Sequence, residues 1–356
     1  MANETRYRPN VAVVPGRIMK SLPPSSARTQ PYLWIAVSIC LLALSALPAW
    51  GGPVEKHGLL KADGARIVDA HGEPVSFAGM SFFWSQWQGK FYNAGVVKQL
   101  KDDWKVTIVR AALGITEDGY LGHPERERAK IRRIVDAAVA EDLYVIIDWH
   151  DHHAEDHQAE AVDFFATMAR EYGDHANVIY EIYNEPLNVP WSGTIKPYAE
   201  AVIAAIREHD PDNLIVVGTP RWSQRVDEAA ADPLDDPNVA YTLHFYAGSH
   251  GESLRKRARK AMDAGLALMV TEWGTVDANG DGDVDQRSVD AWFRFLREHG
   301  LTHLNWSVAD KEEGASILRP GASTKGEWTH SDLTESGRFV RGLIRDWPVG
   351  SGKAED

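Results

Sequence analysis

Eight short, almost uninterrupted apolar segments are the feature that most constrains the fold of this 356-residue chain. Segments this apolar, rich in β-branched and aromatic residues, are typical of strands that are buried on both faces of a parallel sheet. The predicted strands are Ser76–Trp84, Val106–Ala112, Tyr144–His150, Val178–Pro186, Asn213–Thr219, Val239–Tyr246, Ala267–Gly274 and Leu301–Val308.

Amphipathic stretches separate these segments. In Pro124–Asp142, for example, Ile131, Ile134 and Ala138 recur at helical spacing, with Arg and Glu on the other face. Eight strands that alternate with helices or long loops over about 280 residues predict a (β/α)8 TIM barrel. A doubly wound open sheet is the alternative. It would normally carry a Gly-rich phosphate turn after its first strand, and this chain has none.

The two ends of the chain are predicted to lie outside the barrel, which is expected over residues 51–350 with a tail at 351–356. Residues 31–49 are uncharged and apolar and follow a basic region, which is the layout of a secretory signal peptide. Residues 1–50 are therefore interpreted as a signal peptide of a secreted protein, extracellular or periplasmic, or alternatively as an uncleaved membrane anchor. Turns at Asp63-Gly64 and His71-Gly72 predict a short N-terminal hairpin.

Charge and cysteine content exclude several classes of function. The formal net charge of −13 argues against binding to nucleic acid or to anionic lipid. The only cysteine is Cys40, so neither an intramolecular disulfide nor a Cys-based metal site can form. No protein partner is implied, and a monomer is expected.

The expected C-terminal ends of the strands carry polar and aromatic residues, which are unfavourable on otherwise apolar strands unless a site uses them. Two of them are glutamates on separate strands, Glu185 in IYNEP and Glu272 in VTEWG. Glycosidic cleavage needs one carboxyl group to protonate the leaving oxygen and another to act at the anomeric carbon. The full set is Trp84, Trp87, Arg110, Asp148, His150, Asn184, Glu185, His244, Tyr246, Glu272, Trp273 and Trp306.

From about His57 to Trp347 the chain resembles a glycoside hydrolase family 5 endoglucanase of the bacterial cellulase type. The NEP and EWG elements mark a wider clan of retaining barrel glycosidases, and the whole set is specific to the family. The matching stretches are GMSFFWSQW, VRAALGI, IIDWHDHHAE, IYEIYNEP, TLHFYAGSH, VTEWGT and NWSVADKEEGAS.

The resemblance implies a role for each matching residue. Glu185 corresponds to the acid/base and Glu272 to the nucleophile, and Arg110 to the arginine that keeps the nucleophile ionised. Asn184 corresponds to the asparagine that binds the sugar 2-hydroxyl. The remaining matches are orienting residues (His150, His244 and Tyr246), aromatic platforms (Trp306, Trp87 and Trp222) and polar sugar contacts (Lys311 and Glu313).

The resemblance implies a secreted endo-β-1,4-glucanase that retains configuration through a covalent intermediate and needs no cofactor or metal. A related β-glycanase acting on mannan, xyloglucan or mixed-linkage glucan is the alternative. A catalytically silent polysaccharide-binding protein is disfavoured because both glutamates are present. For retention, the carboxyl groups should lie about 5–5.5 Å apart, with Glu272 held ionised by Arg110 and Glu185 in surroundings that favour its neutral form.

Three local features depart from the family pattern or remain open. Some relatives carry His and Tyr where this chain has Phe83 and Gly114. The segment Asp277–Asp285 resembles the start of a calcium loop, but its twelfth position is Ser288 instead of Glu, so a solvated loop is the simpler interpretation. The histidines of the loop after the third strand are interpreted as loop polar residues: His152, His153 and His157.

Overall fold

A computed structural model describes residues 51–348, so the predicted leader, Cys40 and the tail lie outside the described residues. Eight parallel strands close into a barrel in the order β10-β3-β4-β5-β6-β7-β8-β9, which confirms the predicted TIM barrel. The barrel strands are β3 (Ala78–Phe82), β4 (Ile108–Gly114), β5 (Tyr144–His150), β6 (Val178–Glu181), β7 (Ile215–Val217), β8 (Val239–Tyr246), β9 (Leu268–Gly274) and β10 (His303–Val308).

Helices surround the barrel. None of those in residues 51–348 is both long enough and apolar enough to cross a membrane. The α-helices are Pro53–His57, Ser85–Gln88, Ala94–Gln99, Pro124–Ala140, Gln158–Tyr172, Lys196–Arg207, Val226–Ala231, Glu252–Asp263, Gln286–His299 and Glu335–Arg345, and Pro220–Ser223 forms a turn with left-handed residues. Short 3₁₀ or π turns are Gly89–Phe91, Leu100–Trp104, Ala154–His157, Trp191–Ile195 and His330–Asp332.

The predicted hairpin is present and closes the N-terminal end of the barrel. Its strands β1 (Lys61–Asp63) and β2 (Arg66–Val68) pair antiparallel. Ile67 of β2 packs in one apolar cluster with Phe77 and Tyr144, which lie at or just before the starts of barrel strands. This end of the barrel is therefore an apolar plug.

The alternation of side chains along β4 explains how polar groups enter an apolar barrel. Val109, Ala111 and Leu113 point outward into the core between strands and helices. Ile108 and Arg110 point inward, Ile108 into the apolar plug and Arg110 into the next layer towards the mouth. The inward residues thus change from apolar to polar towards the C-terminal ends of the strands, where barrel active sites lie.

Strand β6 ends earlier than predicted. The sequence predicts a strand over Val178–Pro186, but the regular ladder stops at Glu181. Beyond it, the Asn184 N–H donates to the Trp149 carbonyl at 3.1 Å and the Glu185 N–H donates to the Asp151 carbonyl at 3.3 Å. These bonds tie the segment to the C-terminal end of β5 and bring Glu185 to the barrel mouth.

Strand β9 contains a bulge that the sequence pattern does not predict. Between Thr242 and His244 of β8 lies one residue, whereas their partners Met269 and Glu272 on β9 are separated by two. The pairing of β9 with β10 shifts in the same region. Bulges near active sites redirect side chains. Here the extra residue lets two successive side chains, Thr271 and Glu272, both reach the polar cluster inside the barrel.

Candidate active site

Arg110 is the centre of the polar cluster at the barrel mouth. It is fully buried, and its guanidinium lies 2.7 Å from Glu181, 3.0 Å from Asp148 and 3.2 Å from Glu272. It also donates to Asn184 Oδ1 at 2.7 Å. Burial alone would lower the pKa of Arg110, but the three carboxylates outweigh it and raise that pKa, so the side chain stays a cation. The predicted contact from Arg110 to Glu272 is present.

The two predicted catalytic glutamates meet at this mouth. The Tyr246 hydroxyl donates to Glu272 Oε1 at 2.8 Å, so Tyr246 and Arg110 hold the two oxygens of this carboxyl group. Glu185 Oε1 lies 2.8 Å from His244 Nδ1. One carboxylate oxygen from each glutamate and one ring nitrogen of His244 all lie within 4.8 Å of one another.

A buried chain of hydrogen bonds fixes one proton of His244. The Thr271 hydroxyl donates its single hydrogen to Glu181 Oε1 at 2.7 Å. Because that hydrogen is used, Thr271 accepts at its 2.9 Å contact with His244 Nε2, which therefore carries a hydrogen. Only the proton between His244 Nδ1 and Glu185 Oε1 is left to be shared.

The distribution of protons differs from the sequence-based expectation. Burial raises the pKa of Glu185, but the hydrogen bond and charge of His244 outweigh burial and lower it. Burial would lower the pKa of His244, yet Glu181 and Glu185 raise it to about 9. Burial also raises the pKa of Glu272, and the attraction of His244 and Arg110 does not cancel this rise. The surroundings of Glu185 in the free site therefore favour its charged form and not the neutral form that was expected, because the NEP motif does not reveal the pairing with His244.

Aromatic rings surround His150 on one side of the mouth. Trp306, only 6% exposed, stacks on the His150 ring with centroids 4.9 Å apart, and Trp84 packs edge-on at 4.2 Å. Asp148 Oδ2 lies 2.6 Å from His150 Nδ1. Burial, with the charge of Arg110, holds the pKa of His150 well below its ordinary value. The ring is thus neutral, and the contact of its Nδ1 with Asp148 fixes its orientation.

The residues matched to outer sugar contacts lie at the rim. Trp87 is 50% exposed and Trp222 is 48% exposed, which is unusual for such large rings. Lys311 forms an ion pair with Glu313, and its ammonium lies 5.7 Å from the centre of the Phe83 ring. Phe83 therefore provides an aromatic contact for Lys311.

The second departure from the family pattern also has a structural counterpart. A Cβ placed on Gly114 would lie 1.5 Å from Gln86 Oε1. Gln86 therefore occupies the space that a larger residue at position 114 would need, next to the exposed Trp87.

One sequence-based interpretation needs correction, and one loop histidine lies closer to the site than the sequence indicated. Trp273, placed among the strand-end site residues, points outward: its ring stacks on Phe245 at 5.8 Å and its Nε1 donates to His303 Nδ1 at 3.2 Å. His152, interpreted as a loop residue, has its Nδ1 3.7 Å from Glu185 Oε2 and therefore faces the candidate acid/base.

Glu181 and Thr271 are site residues that sequence reasoning missed. Both are fully buried and bind the charged groups of the site. A signal for Glu181 was available, because a glutamate within an apolar barrel strand is unfavourable unless a cation pairs with it. Thr271 becomes recognisable only through the bulge in β9.

The possible calcium segment Asp277–Asp285 is not assembled as a cation site. Asp285 caps the helix Gln286–His299 by accepting the Ser288 N–H at 2.9 Å. Within residues 51–348, the one convergent group of three carboxylate or imidazole ligands is Glu185, His244 and Glu272. Glu185 and His244 bind each other, while Glu272 binds Tyr246 and Arg110, and their chemistry is that of acid, base and nucleophile, as in a barrel glycosidase.

Comparison with known proteins also indicates a glycosidase. Residues 68–312 match the model of the cellulase family, glycosyl hydrolase family 5. Endoglucanase Z of Dickeya dadantii is 57% identical over 299 residues, which cover 83% of this chain and 68% of the relative. Endoglucanase N of Pectobacterium atrosepticum is 44% identical over 315 residues, which cover 87% and 70%.

Solved structures show the same relationship. A structure from Cytophaga hutchinsonii matches with a TM-score of 0.82 and 51% identity, covering 83% of this chain and 96% of that one. The catalytic domain of Thermobifida fusca endoglucanase Cel5A matches with a TM-score of 0.80 and 35% identity, covering 83% and 100%, and was also solved in complex with cellotetraose. The chain belongs to glycosyl hydrolase family 5 and is a glycoside hydrolase.

Proposed function

We propose that this protein is an endo-β-1,4-glucanase that cleaves cellulose-like chains with retention of configuration. The observation that carries the proposal is the distance between Glu185 and Glu272: a carboxylate oxygen of one lies within 4.8 Å of a carboxylate oxygen of the other. Retaining glycosidases place these carboxyl groups about 5–5.5 Å apart, whereas inverting enzymes need about 6.5–9.5 Å to admit a water. Endoglucanases among the relatives, and cellotetraose bound to one structural neighbour, support the choice of substrate.

In the first step, an oxygen of Glu272 forms a bond to the anomeric carbon while the bond from that carbon to the leaving oxygen breaks. Glu185 gives its proton to the leaving oxygen. Tyr246 binds one carboxylate oxygen of Glu272 and Arg110 binds the other, so the nucleophile is already oriented before substrate arrives.

The proton for this step is held between His244 and Glu185. In the free site it resides on His244, because the pKa of His244 is about 9 and that of Glu185 is lowered. A bound sugar displaces water from Glu185 and so disfavours the separated charges of the pair. The proton then moves along the 2.8 Å hydrogen bond to Glu185, where acid catalysis needs it.

In the second step, a water attacks the anomeric carbon of the covalent glycosyl-enzyme. Glu185 accepts the proton of the water, the hydroxyl oxygen bonds to carbon, and the bond to Glu272 breaks. Two displacements on the same carbon restore the original configuration.

Asn184 is placed to bind the sugar that becomes attached. Its Oδ1 is occupied by Arg110, and its Nδ2 is buried with no partner among residues 51–348. A buried donor without an acceptor is unfavourable unless a ligand supplies one. The sugar 2-hydroxyl is the acceptor that this family position implies.

Substitution of each glutamate tests the assigned roles. Glu272→Gln should abolish turnover on every substrate, since no other group is placed to form the covalent intermediate. Glu185→Gln should impair cellotetraose far more than an activated aryl cellobioside, whose leaving group needs little protonation. Glu171→Gln, at a surface ion pair with Arg132, is the matched control and should behave like the unmodified protein. Equal losses on both substrates in Glu185→Gln would contradict its role as the acid.

The configuration of the first product tests the mechanism separately. NMR of a cello-oligosaccharide digest should show the β-anomer first, before mutarotation. If the α-anomer appears first, retention is refuted even though the family is established.

A panel of polysaccharides tests the substrate. We expect reducing sugar to be released faster from soluble β-1,4-glucan than from mannan, xyloglucan or mixed-linkage glucan. Fastest release from one of those three would establish the alternative. We further propose that the protein acts as a monomer, which sedimentation or light scattering would test.

The site of action is proposed to be outside the cytoplasm. The apolar run at residues 31–49 follows basic residues, and glucan chains are too large to enter a cell. N-terminal sequencing of the exported protein should find a start near residues 47–51. A start that retains residues 1–30 would support the membrane-anchored alternative instead.

A further inference from the structure

A cavity of about 540 Å³ opens beside the two glutamates, at the mouth that also holds the aromatic stack of His150 and Trp306. Its lining includes neither member of that stack, nor Trp87, nor Lys311. The residues that line it besides the catalytic cluster are Trp222, Gln224, His250, Ala278 and Asn279. An exposed ring with several amide and imidazole groups is suited to a sugar, which offers an apolar face and hydroxyls at its edge.

One wall of this cavity is held in an unusual backbone conformation. Arg221, Trp222 and Ser223 have φ of 58°, 57° and 54°, in the left-handed region that non-glycine residues rarely adopt. The turn is fixed to the segment that carries Glu185: the Trp222 N–H donates to the Pro186 carbonyl at 2.9 Å. Strain of this kind, held in place by surrounding bonds, is concentrated at functional sites. It presents the Trp222 ring at a fixed position relative to the acid/base.

His250 lies in the same cavity with its ring orientation and hydrogen fixed. The Tyr246 backbone N–H donates to His250 Nδ1 at 2.9 Å, so Nδ1 is an acceptor and the hydrogen of the ring lies on Nε2. The His250 carbonyl accepts from Trp292 Nε1 at 2.8 Å, which anchors the backbone. Burial lowers the pKa of His250 although the charge of Glu185 opposes this, so the ring is neutral. Within residues 51–348, no hydrogen bond engages Nε2.

We propose that His250 is a substrate-binding residue for the leaving sugar, and that its Nε2–H donates a hydrogen bond to a hydroxyl of the glucose that departs. This inference rests on the proposed glucanase function and assigns a residue to the reducing side of the cleaved bond. Bound against Trp222, that glucose has its glycosidic oxygen beside Glu185. A donor there selects for a sugar as leaving group over a group without hydroxyls.

The test compares His250→Asn on two substrates with the same glycone. Asn keeps an acceptor near the position of Nδ1 for the Tyr246 N–H and removes the Nε2 donor. With cellotetraose, which places glucose in the cavity, kcat/KM should fall about three- to tenfold, as expected for one lost neutral hydrogen bond. With β-cellobiosyl fluoride, whose leaving group is fluoride, kcat/KM should stay within about twofold. His330→Asn, an exposed histidine, is the control and should change neither value.

Each other outcome has a distinct meaning. Equal loss on both substrates would show that His250 supports Tyr246 and Glu272 structurally, which refutes the proposal. No loss on cellotetraose, with folding confirmed by an unchanged Tm, would refute it as well. Failure of the unmodified protein to cleave either substrate would instead refute the proposed function, and the inference with it.

Discussion

Replacement of Glu181 by Gln tests the proton relay beneath the catalytic acid. Glu181 is fully buried, accepts the Thr271 hydroxyl and lies 3.8 Å from His244 Nε2. Gln has nearly the same shape and can still accept from Thr271, but its amide nitrogen then faces Arg110 Nε, so the variant removes a charge and one hydrogen bond from Arg110. We expect the pKa of His244 to fall, because one of its two carboxylate partners becomes neutral.

The structure bounds the size of this fall. At an effective dielectric constant of about 20, unit charges about 4 Å apart interact by about 4 kcal/mol. That corresponds to about 3 pKa units at about 1.4 kcal/mol per unit. Glu185 remains at 2.8 Å from the ring and the site relaxes, so a smaller shift is expected. The pKa of His244 should drop from about 9 by about 1 to 2 units.

The direction of the pH dependence follows from linkage. Since the pKa of His244 is raised in the folded protein, its contribution to stability is full below about pH 6.5 and is lost as pH rises through about 9. In Glu181→Gln this loss should begin at the same pH, about 6.5, but should be complete by about pH 7 to 8, so the total contribution is smaller. The contribution of His244 to the free energy of unfolding should therefore stop falling near pH 7 to 8 in the variant, whereas in the unmodified protein it should keep falling up to about pH 9.

Two measurements check this prediction. Urea unfolding from pH 5.5 to 9.5 gives the stability profile, and the ring proton signals of His244, assigned by comparison with His244→Asn, give its pKa directly. Glu171→Gln provides the control for loss of a surface carboxylate. If Glu181→Gln folds normally and His244 still titrates near 9, Glu181 does not set its protonation and the reasoning is refuted.

Three further outcomes are expected. Asp148→Ala should reduce the free energy of unfolding by about 1–3 kcal/mol in urea, because buried His150 and Arg110 both lose a polar partner; an unchanged value would contradict this account. Asp285→Ala should lower the free energy of unfolding by about 1 kcal/mol, because it removes a helix cap. EDTA should leave the Tm of the unmodified protein unchanged, and a fall in Tm would instead establish a cation site. Trp222→Ala should raise KM for cellotetraose and leave cleavage of β-cellobiosyl fluoride nearly unaffected, whereas Trp87→Ala should impair cleavage of both. The reverse pattern would mean that Trp87, and not Trp222, lies on the side of the leaving group.

The barrel could be predicted from sequence because burial on both faces leaves a strong pattern. Strands such as Tyr144–His150 and Val239–Tyr246 have the predicted bounds, since they are apolar from end to end and flanked by turn residues. The end of β6 was misplaced because Ile182 and Tyr183 are as apolar as the strand before them. What ends the ladder is the hydrogen bonding of Asn184 and Glu185 to another part of the chain, which a local pattern does not contain.

The candidate site was predictable only as a set of residue types. The NEP and EWG motifs identify Glu185 and Glu272, and the structure brings both together with Arg110. The state of their protons depends on Thr271, which the bulge turns towards His244, and no periodicity in the sequence reports that bulge. Sequence therefore indicates which groups can react, whereas three-dimensional contacts decide which of them carries the proton.

The buried site holds more carboxyl groups than cations, and this imbalance governs its chemistry. Burial raises the pKa of Asp148 and that of Glu272. For Glu185 and Glu181, nearby cations outweigh burial and lower the pKa: His244 for Glu185, and Arg110 with His244 for Glu181. Because four carboxyl groups share two cations in a medium where an unpaired charge is unfavourable, a change at any one of them redistributes protons among the others. The effects of Glu181→Gln and Asp148→Ala should therefore not add. The double variant, compared with both single variants by urea unfolding at pH 7, should deviate from the sum by at least about 0.5 kcal/mol.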